Sequence, residues 1–232
     1  MTETSLNVKL LRFTNEPEIA AATAANLCYS SANIEALTQK MDAERAKKLI
    51  EKIVKMGHES VLEHACFTFG IEGVSRALTH QLVRHRIASY SHQSQRYVKA
   101  QDFDYIIPPS IKGDENKRQK FEEIMASLNK AYAEMLEIAP KEDARFVLPN
   151  AAETKIIVTM NARALLNFFE KRCCNRAQWE IRALANKMLA QCKQVAPTIF
   201  AKAGPTCISK GVCYEGGMSC GLYKSVGAVL KN

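Results

Sequence analysis

A mixed α and β domain, with a central sheet flanked by helices, is the fold class the sequence predicts, on three observations. Short segments of alternating hydrophobicity are interleaved with longer segments of helical period, the helical ones are the more abundant, and no repeat of fixed period runs through the 232 residues. That pattern argues against a sandwich or a simple bundle. With 47% hydrophobic residues the chain can bury a sizeable core, and one domain is the simplest organisation.

The elements follow in order. SLNVKLLRF alternates Leu6, Val8 and Leu10 with polar neighbours, the period of a half-buried strand. EPEIAAATAANLCYS and DAERAKKLIEKIVKMGH carry apolar residues at three and four spacing, and Asp42 and Gly57 read as the N-cap and stop of the second helix. CFTFGIEG returns to alternation through Phe67, Phe69 and Ile71. VSRALTHQLVRHR places Val74, Ala77, Leu78 and Leu82 on one helical stripe, after which the chain is expected to run into a loop. Pro108 and Pro109 break regular structure, and a helix from about Glu115 to Ala139 is closed by Pro140. EDARFVLPN reads as a short turn into an apolar step, and TKIIVTMN as a strand. The stretch from Ala162 to the residue before Pro197 reads as one long helix. Residues 203–232 form a glycine- and cysteine-rich tail outside the main domain, 1–202.

Composition narrows the setting. The N-terminus lacks the basic start and apolar run of a signal peptide, and no stretch of about eighteen apolar residues occurs, so a cytoplasmic protein without membrane association is expected. In that compartment the eight cysteines are read as thiols. The formal charge of +8 favours polyanionic partners, without choosing among nucleotides, cofactors and nucleic acid.

The segment RHRIASYSHQSQRYV, residues 84–98, sharpens that choice. Arg84, His85 and Arg86 at a helix end could simply complement its dipole. The run continues, however, with Ser89, Ser91, Ser94, Arg96 and Tyr97 and contains no carboxylate, so a phosphate is the natural counter-ion. Further on, helical spacing puts Phe169, Arg172, Trp179 and Ala183 all within about 40° of Leu165 around one axis. Arg172 on an apolar stripe either pairs with an acid, faces a ligand or snorkels to solvent. Arg163 and Asn167 are one turn apart and could hold one ligand, or belong with Asn161 to ordinary capping and a solvated face.

Metal chemistry has weaker support. All five histidines, His58, His64, His80, His85 and His92, fall within residues 58–92, but His58 and His64 are six apart, not the four that put two rings on one helix face. Cys207, Cys213 and Cys220 lack paired CxxC spacing, and no metal is expected at the site. Adjacent Cys173 and Cys174 are read as buried small apolar residues. GxGxxG, GxxxxGK[ST] and GxSxG are all missing.

Arg84-His85-Arg86 with Ser94 eight positions after Arg86, together with GHESVLEH, VLPN, TMNARALLNF and AQWEIR in the same order, resembles the flavin-dependent thymidylate synthases. The resemblance reaches to about residue 200 and implies the homotetrameric thymidylate synthase-complementing-protein fold, with active sites between subunits. It implies methylation of dUMP to dTMP, with methylenetetrahydrofolate as carbon donor, FAD as cofactor and NADPH as reductant. By position, Gln81, Arg84, His92, Gln93, Ser94, Gln95, Arg96, Arg145 and Arg172 are the expected dUMP contacts. Arg172 is the expected catalytic residue, stabilising the ionised uracil N3. His58, Ser60, Arg84, His85, Arg86, Ile87, His92, Asn161, Arg163 and Asn167 are the expected FAD contacts. Ser91-His92 departs from the Asn-Glu of many members, replacing a carboxylate with an imidazole. The cysteine-rich tail is the second departure.

Two other classes remain open from the residues themselves. A nucleic-acid-binding module could stack bases on Tyr90 and Tyr97, although 7% aromatic content and the lack of a recognised motif count against it, and no nucleic-acid partner is expected. A metal-dependent hydrolase would need the histidines and cysteines to converge despite their spacing.

Overall fold

The computed structural model describes residues 1–223. It is a mixed α and β structure whose four strands, β1 (Asn7–Phe13), β2 (Cys66–Ser75), β3 (Ala88–His92) and β4 (Glu153–Asn161), hydrogen-bond in the order β1-β2-β4-β3. Helices α1 (Pro17–Leu27), α2 (Ile34–Gln39) and α3 (Ala43–Met56) lie between β1 and β2, and α4 (Arg76–Leu82) between β2 and β3. Helices α5 (Pro109–Lys112), α6 (Glu115–Ile138) and α7 (Lys141–Ala144) precede β4, and α8 (Ala162–Arg172), α9 (Trp179–Val195) and α10 (Thr206–Ser209) follow it.

The expected strand and helix signals hold in detail for much of the chain. The Asp42 carboxylate accepts from the Arg45 N–H, and Gly57 ends α3 in the left-handed region at φ 74°. Phe67, Phe69 and Ile71 are buried along one face of β2. Helix α6 ends at Ile138, next to the expected boundary.

Three expectations are corrected. The chain does not stay in a loop after α4, because Ala88–His92 is a strand with Ala88, Tyr90 and His92 half-buried and the two serines exposed. Its period of two is carried by small and polar side chains, without the β-branched run that marks most strands. Ala77 is exposed and does not belong to the apolar stripe of α4. The long C-terminal helix is two helices: residues 173–178 interrupt it. Cysteine and asparagine are weak helix formers, the Gln178 carboxamide caps the N–H groups of Glu180 and Ile181 at 2.9 and 3.1 Å, and the Arg182 guanidinium donates to the Asn175 carbonyl at 2.9 Å. The break rotates the second helix out of the predicted stripe, leaving Trp179 half-buried and Ala183 exposed while Ile181, Leu184 and Met188 are buried.

The chain falls into two compact units. The first comprises Met1–Val8, Gly70–Arg84 and Tyr90–Ile157. Its core contains Phe103, Tyr105, Ile107, Met125 and Ala152, with Phe121 meeting Tyr105 edge to face at 6.0 Å. In this unit the Asn7 carboxamide donates to Glu72 at 2.7 Å, and the Ala100 N–H donates to the buried Tyr132 hydroxyl.

The second unit comprises Lys9–Phe69, His85–Ser89 and the residues from Val158 onward. Phe67, Phe200, Phe169 and Phe168 form a chain of tilted and edge-to-face contacts at 5.5–5.9 Å. All four are fully buried, each contributing roughly 1.5–3 kcal/mol of apolar burial. Helix α1 packs on α3 and on the 3₁₀ turn Glu59–His64, and α8 packs on that same turn and on α9. The Glu18 carboxylate ties the α1 end to the C-terminal segment by accepting from the Thr198 hydroxyl at 2.8 Å and the Ile199 N–H at 3.1 Å.

Candidate functional site

Within the first unit, β3 delivers His92 to a cluster of arginines. The His92 Nε2 lies 2.9 Å from the Thr154 hydroxyl and 3.0 Å from Arg76 Nη1, with Nδ1 3.3 Å from the same Nη1. An arginine only donates, so an imidazole beside it must offer an unprotonated nitrogen. The ring pKa agrees, pushed down to about 4 by burial and then by the charges of Arg76 and His80. His92 is therefore a neutral acceptor near neutral pH, where a carboxylate would be an anion.

The chain turns past His92 with the Gln93 N–H donating to the Lys155 carbonyl at 2.9 Å and the Arg96 N–H donating to the Ser94 hydroxyl at 3.2 Å. Ser94 and Gln95 are half-buried, Gln93 exposed. The acid that the sequence run lacks comes from elsewhere: Glu142 on α7 pairs with Arg96, whose guanidinium also lies 5.4 Å from the Tyr97 ring. Arg145 approaches the same residue, its Nε donating to the Glu142 carbonyl at 2.9 Å. Gln81 is half-buried on α4, and Arg84 is exposed just beyond it. Arg76 was not legible as a site residue. Its one sequence signal is an arginine opening an amphipathic helix that has no acid in its first turn.

Within the second unit, His85 and Arg172 form a pair. The Arg172 Nε donates to His85 Nε2 at 2.8 Å, and the ring meets Phe168 edge-on at 4.8 Å. Burial, then Arg172 and Lys171, push the His85 pKa down to about 4. Arg172, placed by sequence on an apolar stripe, is half-buried beside Phe168 and Phe169 on the same helix. Arg86 and Ile87 are exposed, Ile87 to 77%.

The same unit holds a cavity of about 490 Å³ lined by α1, α3 and the turn that follows α3, with His58, Ser60 and Arg163 among its residues. Its walls combine apolar Leu49, Ile53, Met56 and Val61 with the cations Lys52 and Arg163 and the ring of Tyr29. That volume and mixture suit a small-molecule ligand. Arg163 is held by Glu63 at 2.6 Å. Asn161 caps α8 instead of standing free, its carboxamide oxygen accepting from the Ala164 N–H at 2.8 Å. Asn167 is exposed one turn from Arg163.

The expected nucleotide contacts thus fall in the first unit, apart from Arg172, and the expected flavin contacts fall in the second, apart from Arg84 and His92. Among the described residues no three His, Cys, Asp or Glu side chains gather as a metal site, and no helix is long and apolar enough to cross a membrane. The cysteines are free. Burial raises the Cys207 thiol, with Cys174, Cys213 and Cys220 adding to the rise; tail residues 224–232 lie outside the described structure.

Comparison with known proteins is consistent over nearly the whole chain. Residues 9–198 match the family described as Thymidylate synthase complementing protein. A flavin-dependent thymidylate synthase of Geobacter sulfurreducens is 58% identical over 95% of this chain and 96% of its own length. The enzyme of the same name from Clostridium tetani is 52% identical over 93% of each chain. That from Pyrococcus abyssi is 45% identical over 90% of each.

Proposed function

The chain belongs to the flavin-dependent thymidylate synthase family, and from that premise we propose that it methylates dUMP to dTMP with methylenetetrahydrofolate as carbon donor and FAD reduced by NADPH. That it is an enzyme of dTMP synthesis follows from the family. The observation that carries the finer reading is the cavity in which His58, Ser60 and Arg163 stand together. Residues expected at the flavin from two separate sequence motifs, His58 and Ser60 from one and Arg163 from the other, share one pocket.

The residues present fit that cofactor. Leu49, Ile53, Met56 and Val61 offer apolar surface to a planar ring, and Lys52 and Arg163 offer charge to a pyrophosphate. His85, Arg86, Ile87 and Asn167 complete the assignment, with Asn161 holding the first turn of α8. Bound flavin supplies two-electron redox chemistry, and every other task falls to the chain's own side chains.

On the nucleotide side, Gln81, Arg84, His92, Gln93, Ser94, Gln95, Arg96 and Arg145 supply donors and cations for a phosphate, and Arg172 serves the base. A guanidinium half-buried next to Phe168 and Phe169 stabilises negative charge developing on the ionised uracil N3, raising electron density at C5, where the carbon unit is received. The neutral His85 ring, fixed edge-on to Phe168, accepts from the Arg172 Nε and so orients the guanidinium. Assembly as a homotetramer with shared active sites, a cytoplasmic location and a synthase domain of residues 1–202 followed by a tail of residues 203–232 belong to the same proposal.

The test is the visible absorption spectrum of the purified protein, followed anaerobically with NADPH, with and without dUMP, and then product analysis with methylenetetrahydrofolate. Flavin bands that bleach with NADPH, followed by dTMP formation, are expected. Protein that neither retains added FAD nor oxidises NADPH would overturn the proposal.

A further inference from the structure

We propose that Lys210, in the tail beyond the stretch 9–198 that matches the family, supplies a further cation to the flavin site and binds the phosphate end of the cofactor, with Glu170 as its positioning residue. The inference rests on the flavin reading above and adds a tail residue to it. Helix α8 is where tail and site meet. At about 100° per residue, Arg163, Asn167 and Glu170 lie within roughly 60° of one another around its axis, and Glu170 stands about 10 Å beyond Arg163 along it. The face that carries two expected flavin contacts therefore continues into Glu170.

Helix α10 packs on α8, as does the 3₁₀ turn Glu59–His64, whose first residues line the cavity. The tail is fastened there by both oxygens of one carboxylate. Glu170 Oε1 accepts from the Ser209 hydroxyl at 3.0 Å, and Oε2 accepts from Lys210 Nζ at 2.9 Å. Glu170 lies in the last turn of α8, where the helix dipole opposes a carboxylate, so the acid serves the tail and not the helix. Its side chain is 15% exposed and that of Lys210 52%, which leaves the pair anchored at the acid and open at the ammonium. An ammonium has three donors, and among the described residues that of Lys210 uses one.

The charge balance of the cavity indicates what the open ammonium does. Arg163 is engaged by Glu63 at 2.6 Å, and Glu59 is a second acid beside the cation Lys52 in the wall. Two cations and two acids leave the region near neutral, whereas a pyrophosphate is strongly anionic near neutral pH. Lys210 adds the cation that this balance lacks. The hydrogen bond and charge of Glu170, with Glu59 and Tyr214 adding to them, hold Lys210 above the usual lysine range, so it stays charged.

The full-length apoprotein and its Lys210→Met, Lys210→Arg and Glu170→Gln variants would be titrated by fluorescence with FAD and with riboflavin, which has no phosphate. For Lys210→Met, FAD should bind about tenfold more weakly, the loss of one charge-assisted contact, while riboflavin binding stays unchanged. Lys210→Arg should retain most of the FAD affinity, and Glu170→Gln, which loosens the tail, should lose part of it. Should Lys210→Met not fold, Lys210→Gln decides by the same comparison. Equal losses for FAD and riboflavin would make the tail a structural clamp only and overturn the assignment, as would an unaltered FAD affinity. Wild-type protein that binds neither flavin would sink the flavin reading itself, whereas wild-type binding that Lys210→Met leaves unaltered sinks only the role of Lys210.

Discussion

Arg172 and His85, eighty-seven positions apart in sequence, meet through a 2.8 Å hydrogen bond from Nε to Nε2. The bond requires the His85 nitrogen to be unprotonated, so a residue of the basic motif works as an acceptor, not as a cation.

Replacing Arg172 with alanine should leave FAD bound but lower dTMP formation by about a hundredfold, the scale of removing one preorganised donor from developing charge. Single-turnover kinetics beside flavin absorbance would separate the two effects. Unchanged turnover at saturating substrates would exclude the role.

Acidification should destabilise the protein between pH 6.5 and about 4, because His85 and His92 are both held down from 6.5 to about 4 in the folded state. Across that window the unfolded chain takes up protons that the folded chain refuses, so their contribution is complete above the unfolded pKa and declines as pH falls. Melting temperature against pH checks this, and His92→Gln and His85→Asn should each flatten the slope.

At the cavity, Arg163→Ala removes both a lining cation and the partner of Glu63. FAD affinity should fall by about tenfold, as for loss of one charge-assisted contact. Fluorescence titration of the apoprotein reads it directly, and an unaltered dissociation constant would place the flavin elsewhere.

Asn161→Ala should cost about 1 kcal/mol of stability, the usual value of an N-cap, whereas Asn161→Asp should retain most of it. Denaturant melts of the two variants distinguish the cap from a purely ligand-binding side chain.

Gly73→Ala should fold poorly if at all. Gly73 has φ +66°, and a Cβ there would come within 1.9 Å of the Ser5 carbonyl oxygen, a backbone atom that cannot swing away. A loss of more than about 3 kcal/mol is expected, measurable as the yield of soluble protein and its melting point.

What the sequence made legible was chiefly local. Asp42 and Gly57 bracket α3 because capping depends on neighbours within one turn. The alternation of Phe67, Phe69 and Ile71 marks β2 for a similar reason. The break at residues 173–178 was hidden because no proline or glycine announces it, and Gln178 is an unusual cap. Among candidate site residues, the motif pointed to the basic run, but the partner of Arg96 is Glu142 and the partner of His92 is Arg76. Those pairings arise from tertiary approach, which spacing does not encode.

The strand Ala88–His92 also constrains how this chain can diverge. Because Ala88, Tyr90 and His92 alternate with exposed Ser89 and Ser91, inserting or deleting one residue would exchange the two faces and turn His92 away from Thr154. Substitutions at the two serines leave that alternation intact. Relatives should therefore vary freely in side chain at Ser89 and Ser91 while keeping the count of residues between Arg86 and Ser94 fixed.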